Sequence, residues 1–267
     1  MHKQKIVTQF NRGAIRYDQQ AIIQKQVATY LYQLMHANHG PQYNQQCIAT
    51  ICDVGCGTGF LTEYLCRTFT QSHVTAMDIA PQMLQQCAAK LRNYPNLDMV
   101  LFDMEQSLLP RKFDLVTSSL ALQWVSNLCL TVQRLWEATQ KWLCFSILCQ
   151  GTFYEWQNLF KTLALPEPSL RFISLDQLTS VLQQVTSDGS AGDSAVQIHQ
   201  QQLTQNFTNI HAFLRHIKSI GVHYSPYADH TDAYLSAKRL RHIIKAESKQ
   251  NFTLTYKVVY CLLKKEQ

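Results

Sequence analysis

Three glycines at alternate positions, Gly55, Gly57 and Gly59, follow an acidic residue, Asp53, near the end of an apolar run from Ile48 to Val54. Beyond them the pattern turns helical, with Phe60, Leu61, Tyr64 and Leu65 at helical spacing. A buried strand, a tight turn and a helix start are the elements this order describes. Glycine opens backbone conformations closed to other residues and lets a ligand approach closely. The unpaired N–H groups of a helix start favour an electronegative group. The spacing is G-x-G-x-G, which differs from the G-x-G-x-x-G of dinucleotide-binding loops.

With Asp53 before it, this loop resembles that of class I S-adenosylmethionine-dependent methyltransferases. A second strand-like run, His73 to Met77, ends in Asp78, where a carboxylate can accept hydrogen bonds from both hydroxyls of a ribose. A third, Asp98 to Phe102, leads into Asp103-Met104-Glu105, where the resemblance implies a grip on the adenine amino group. A fourth is Phe113 to Ser119, so polar or glycine residues close each strand, as the crevice of an open α/β sheet requires. The resemblance implies S-adenosylmethionine as cofactor. It would be held by Asp53, Gly55, Cys56, Gly57, Gly59, Asp78, Ile79, Met83, Asp103, Met104, Ser119 and Leu120.

The elements that must position these residues alternate: strand 48–54, helix 60–69, strand 73–78, helix 81–92, strands 98–102 and 113–118, helix 127–139, strand 141–149, helix 153–163. That alternation predicts an α/β fold, a parallel sheet with helices on both faces. Residues 8–36 read as helical with a break around Tyr17-Asp18, and His39-Gly40-Pro41 stops them. After Leu165-Pro166-Glu167-Pro168 come a helix from 174 to 185, a loop from Thr186 to Asp193 and a strand from Ala195 to Phe207. Helices at 208–219 and 231–247 precede a last strand, Phe252 to Leu263. The resemblance implies a Rossmann-like, seven-stranded sheet whose last two strands pair antiparallel. The two intervening helices then form an insertion. The expected organisation is an N-terminal helical lid (1–40), a methyltransferase core (41–207), a helical cap (208–250) and the final core strand (251–267).

At 267 residues the chain fits one large domain, or one with an inserted cap. No apolar stretch reaches the roughly 20 residues of a membrane span, and the basic N-terminus leads into no signal-peptide core. Of nine cysteines, Cys52, Cys144, Cys149 and Cys261 sit in apolar strand patterns as small hydrophobes, and no C-x-x-C pair suggests zinc. A reduced, cytoplasmic chain without a metal is expected. The net charge of +6 gathers late, at Lys238, Arg239, Arg241, Lys245, Lys249, Lys257, Lys264 and Lys265, a face that could attract nucleic acid, anionic lipid or an acidic protein, or be a solvated helix surface.

From Val7 to Lys265 the chain resembles the malonyl-acyl-carrier-protein O-methyltransferases of biotin synthesis. The carriers are Phe10-Asn11-Arg12-Gly13-Ala14, Tyr17-Asp18, Gln24, Asp53 to Gly59, Asp78 to Leu84, Leu120-Ala121-Leu122-Gln123-Trp124, Leu214 to Gly221 and Leu254-Thr255-Tyr256. Departures are Ser118-Ser119-Leu120 for the usual Ser-Asn-Leu, Leu108-Leu109-Pro110 for Leu-Pro, and Gly221-Val222 for Gly-Ala. The resemblance implies methyl transfer to the free carboxylate of a malonyl thioester on an acidic acyl carrier protein, with no nucleic acid or membrane partner. A carboxylate is already an anion at neutral pH, so the protein must supply placement and dryness more than acid–base help. Candidates to hold it are Arg12 and Tyr17 from the lid and Lys218 from the cap, with Gln123-Trp124 at the mouth. A Pro-Pro-aromatic signature of nitrogen methylation is absent at Ser118-Ser119-Leu120-Ala121. A small-acid carboxyl methyltransferase of the aconitate type, or an inactive cofactor-binding scaffold, are the alternatives.

Overall fold

The apolar runs become the strands of a single sheet in the computed structural model, which describes residues 2–37, 47–162, 172–187, 195–219 and 251–265. They are β1 (Thr50–Val54), β2 (His73–Asp78), β3 (Leu97–Leu101), β4 (Phe113–Ser119), β5 (Thr139–Leu148), β6 (Ala195–Phe207) and β7 (Phe252–Lys264). Their order is β3-β2-β1-β4-β5-β7-β6. Strands β1 to β5 pair in parallel, and β7 runs antiparallel to both β5 and β6. The order reverses direction at β1 and β4. Two outgoing crossovers leave a crevice at the carboxyl ends of those strands.

Helices α1 (His2–Gln20), α2 (Ile22–Ala37), α3 (Phe60–Thr68), α4 (Pro81–Leu91), α5 (Leu128–Glu137), α6 (Tyr154–Thr162), α7 (Leu175–Ser187) and α8 (Ile210–Ser219) surround the sheet. One face packs Val27 and Leu31 of α2, Leu65 of α3, Trp156 and Phe160 of α6 and Phe213 of α8. The other packs Val132 and Leu135 of α5 with Leu178 and Leu182 of α7. With both faces covered, the central strands are buried nearly throughout, which is why they read as continuous apolar runs. Cys52, Cys144, Cys149 and Cys261 are among those buried residues, as free thiols. Among the described residues no helix is long and apolar enough to cross a membrane.

Some boundaries differ from expectation for identifiable reasons. Strand β1 begins at Thr50 although Ile48 is buried, because the Asp114 carboxylate takes the N–H groups of Ala49 and Thr50 at 2.9 and 3.0 Å. The N-terminal helix starts at His2 and is interrupted at Ala21, not around Tyr17-Asp18. Hydrogen bonds from Ala21 N to Tyr17 O and from Lys25 N to Ala21 O carry the chain across that point almost without a turn. The stop at 39–41, the break at 165–168, most of the loop through 193, the helix at 231–247 and the basic residues Lys238 to Lys249 lie outside the described residues.

Candidate active site

Each of the three glycines meets a different demand. All have positive φ: 73° at Gly55, 57° at Gly57 and 85° at Gly59. A Cβ on Gly55 would stand 2.3 Å from the Ala121 Cβ, so this glycine lets the loop after β4 close against the loop after β1. A Cβ on Gly59 would stand 2.5 Å from the Cys87 Sγ, so this one lets α3 pack against α4. Only at Gly57 does a Cβ meet nothing within 4 Å, because it faces an open cavity.

That cavity occupies the crevice at the switch point. Of the residues proposed from the sequence, Asp53, Gly55, Cys56, Gly57, Asp78, Ile79, Met83, Met104, Ser119, Leu120 and Tyr17 line it. Gly59 does not; it opens α3 as its N-terminal cap residue. Asp103 does not either. Its carboxylate accepts both 2.9 Å hydrogen bonds of Lys3 Nζ, which also pairs with Glu105 at 2.9 Å, so it clasps the start of α1. Arg12 is exposed and outside the cavity wall. The Lys218 side chain lies outside the described residues.

Two carboxylates stand at the deep end. Asp78 accepts the Gly57 N–H on one oxygen and the Ala80 N–H on the other, each at 2.8 Å. The carboxylate keeps lone-pair capacity for a ligand hydroxyl beyond its backbone donors. Burial raises its pKa against the lowering effect of those backbone donors. Asp53 accepts from Thr62 Oγ1 at 2.6 Å and Thr117 Oγ1 at 3.0 Å. Burial pushes it up to about 6, the two hydroxyls oppose the shift, and neighbouring Asp78 adds to it. Among the described residues no cation lines the cavity beside these carboxylates, an environment that suits a cationic ligand.

Helix α1 closes the other side. Asn11 Oδ1 accepts the Gln82 N–H at 3.0 Å, and Asp18 accepts from Thr58 Oγ1 and from Lys90 at 3.0 Å. Phe10 packs edge-on to Trp124 at 5.6 Å between ring centres, and Tyr17 stacks on Phe60 at 6.3 Å. These four rings line the cavity. Burial first, then the charges of Asp78 and Asp18, raise the Tyr17 pKa, so its hydroxyl is a neutral donor. Gln24 also lines the cavity, and its Oε1 is sealed from solvent with no hydrogen-bond partner. Gln24, Phe10, Thr58, Ala121 and Trp124 belong to the motifs that carried the resemblance, whereas Ile6 and Ala28 carried no signal. Among the described residues no Lys, Arg or His lines the cavity.

Residues 51–141 match the family model described as a methyltransferase domain. The chain is 28% identical over 230 residues to a malonyl-[acyl-carrier protein] O-methyltransferase of Priestia megaterium, covering 83% of this chain and 82% of that one. It is 26% identical to the protein of the same name in Bacillus cytotoxicus, covering 100% of this chain and 93% of that one. Among solved structures, the plantazolicin methyltransferase BpumL in complex with a pentazolic desmethylPZN analog and SAH superposes with a TM-score of 0.55 at 12% identity, covering both chains fully. The open face at Gly57 and the two uncompensated carboxylates suit a ligand that joins a ribose to a sulfonium and an ammonium. The chain is an S-adenosylmethionine-dependent methyltransferase, and over most of its length it is similar to proteins named malonyl-[acyl-carrier protein] O-methyltransferase.

Proposed function

We propose that the protein methylates the free carboxylate of a malonyl thioester carried on an acyl carrier protein, giving the methyl ester that primes pimeloyl synthesis for biotin. The relatives' names support this reading, and so does one property of the cavity. Its described wall offers a neutral hydroxyl donor, Tyr17, and the uncharged amide of Gln24 beside aromatic rings, with no cation. An acceptor carboxylate arrives ionised, and a lysine or arginine clamp would blunt its oxygen as a nucleophile. Hydrogen bonds from neutral groups satisfy its desolvation without that loss. A free tricarboxylic acid would bring further charges that this wall does not answer, which disfavours the small-acid alternative.

Bound S-adenosylmethionine supplies an electrophilic methyl carbon on a positively charged sulfur. In this reading Asp78 receives the ribose hydroxyls, and Asp53 faces the cationic end. Ile79, Met83, Met104 and Leu120 form the apolar walls around them. Residues 1–40 act as lid and 208–250 as cap over a core of 41–207 and 251–267. The carrier is acidic and the enzyme works in the cytoplasm. The deciding experiment is transfer of labelled methyl from S-adenosylmethionine to malonyl-carrier, malonyl-coenzyme A and free dicarboxylic acids. Faster labelling of the free acids than of either thioester refutes the proposal, and no labelling of any acceptor returns the chain to a binding scaffold.

Two further expectations arise here. Tyr17→Phe and Gln24→Leu should each lower kcat/KM for the malonyl thioester roughly tenfold, with cofactor affinity changed far less. Equal losses in both quantities would move these groups to the cofactor side. Asp53 gives a pH signature. With a native pKa near 6 against an ordinary 3.8, it stabilises the free fold below about pH 4. That contribution is lost as the pH rises through about 6, because the native chain must then ionise a buried acid. A cationic ligand favours the ionised form, so cofactor affinity should climb with pH through about 6 and level off above it. Calorimetric titration from pH 5 to 8 checks this, and Asp53→Asn should flatten the curve.

A further inference from the structure

Helix α1 has two distinct faces. Lys3, Ile6, Phe10, Ala14 and Tyr17 recur every three or four residues and turn inward, to the Asp103–Glu105 clasp, the cavity and the start of α4. The opposite stripe is Lys5, Thr8, Arg12, Ile15, Arg16 and Gln19, and every one of them is exposed. It carries three cations and no acid. Among the described residues neither the Arg12 nor the Arg16 guanidinium is paired with a carboxylate. Ile15 is 78% exposed, and Ile22, just past the break at Ala21, is 52% exposed. Two bare isoleucines beside unpaired arginines are the ingredients of a protein contact that is steered by charge and closed by a small apolar patch.

We propose that this outer face of α1 docks the acidic carrier protein that presents the acceptor, Arg12 and Arg16 meeting its carboxylates and Ile15 and Ile22 meeting an apolar patch between them. The inference rests on the malonyl-carrier reading above. A helix with its side chains is only about 10–12 Å across. A carrier seated on the outer stripe therefore stands one helix away from the cavity that the inner stripe lines, and its prosthetic arm has a short path around the lid. Exposed charge pairs raise encounter rate more than they hold a complex, which suits an enzyme that must release each carrier after one turnover. Arg12 thus acts on the partner and not on the reacting oxygen.

The test compares malonyl-carrier with malonyl-pantetheine, which lacks both protein and nucleotide phosphates. Wild type, Arg12→Glu/Arg16→Glu, Arg12→Lys/Arg16→Lys and Ile15→Ser are assayed at low and physiological salt, with thermal unfolding confirming that each folds. The double reversal should cut kcat/KM for malonyl-carrier roughly tenfold or more at low salt, mostly through KM, and the deficit should shrink as salt rises. The lysine pair should retain most of the rate, and Ile15→Ser should lose several-fold at either salt. Malonyl-pantetheine should react within about twofold of wild type throughout. Equal losses on both acceptors would make the stripe part of the cavity or of lid packing. An undiminished carrier reaction would place docking elsewhere, and if binding to phosphatidylglycerol vesicles fell instead, the stripe would face a membrane. Each of these overturns the docking surface while leaving the activity standing. Wild type that methylates neither acceptor removes the underlying reading and the surface together.

Discussion

Gly57→Val should abolish measurable S-adenosylmethionine binding while the sheet still forms. The position is empty of protein contacts, so a side chain there intrudes on the ligand alone, and it does so from a loop whose backbone is tied to Asp78. Overfilling a site that can relax costs typically 1–3 kcal/mol. A ligand pressed against main chain has less room to yield, so a loss of roughly 100-fold or more in affinity is expected. The φ of 57° adds strain for a β-branched residue, visible as a modest fall in Tm. Gly55→Ala should behave in the opposite way. Its Cβ would strike the Ala121 side chain 2.3 Å away, so the loss appears first in stability of the free chain. Paired unfolding and calorimetry measurements separate the two. If Gly57→Val binds the cofactor normally, the open face is not where it lies.

Asp78→Asn should weaken cofactor binding on the order of 2–4 kcal/mol, roughly 30- to 1,000-fold in Kd. On the reading proposed above, the lost interaction is a charged two-point contact to the ribose hydroxyls. Stability of the free chain should fall little. The carboxylate's pKa is raised by burial, so removing its charge relieves a desolvation cost that offsets the weakened bonds to Gly57 and Ala80. A variant that unfolded easily yet bound the cofactor as tightly as wild type would make Asp78 a purely structural residue.

Legibility from sequence followed the range over which the interactions act. Strands such as His73–Asp78 and Ala195–Phe207 fall where they were expected, because burial on both faces or pairing along a full ladder writes itself into the local pattern. The start of β1 depends instead on Asp114, sixty-four positions away, and no local pattern could contain it. The site divides in the same way. The glycine spacing marks the loop, but it does not say that Gly59 serves helix packing while Gly57 faces the cavity, since that requires knowing where Cys87 and Ala121 sit. Asp103 and Lys3 are one hundred residues apart, and only the fold makes them partners. Arg12 and Tyr17 share a short motif yet point to opposite sides of one helix, a distinction that the 3.6-residue period carries once the inward face is known.

The ladder between β6 and β7 has a consequence for how such a chain can change. Its pairing runs from Ala195↔Lys264 to Phe207↔Phe252, so the chain leaves the sheet and re-enters it at directly opposed residues. A segment whose two ends are already held together costs little to lengthen, since each doubling of a loop adds only about 0.6 kcal/mol of closure entropy. Between Phe207 and Phe252, α8 is tied to the core through Ile210 and Phe213, but a connection lengthened with that anchor kept leaves the thirteen-residue strands on either side able to find each other. The sheet and its crevice are thereby separable from the length of the connection that joins β6 to β7.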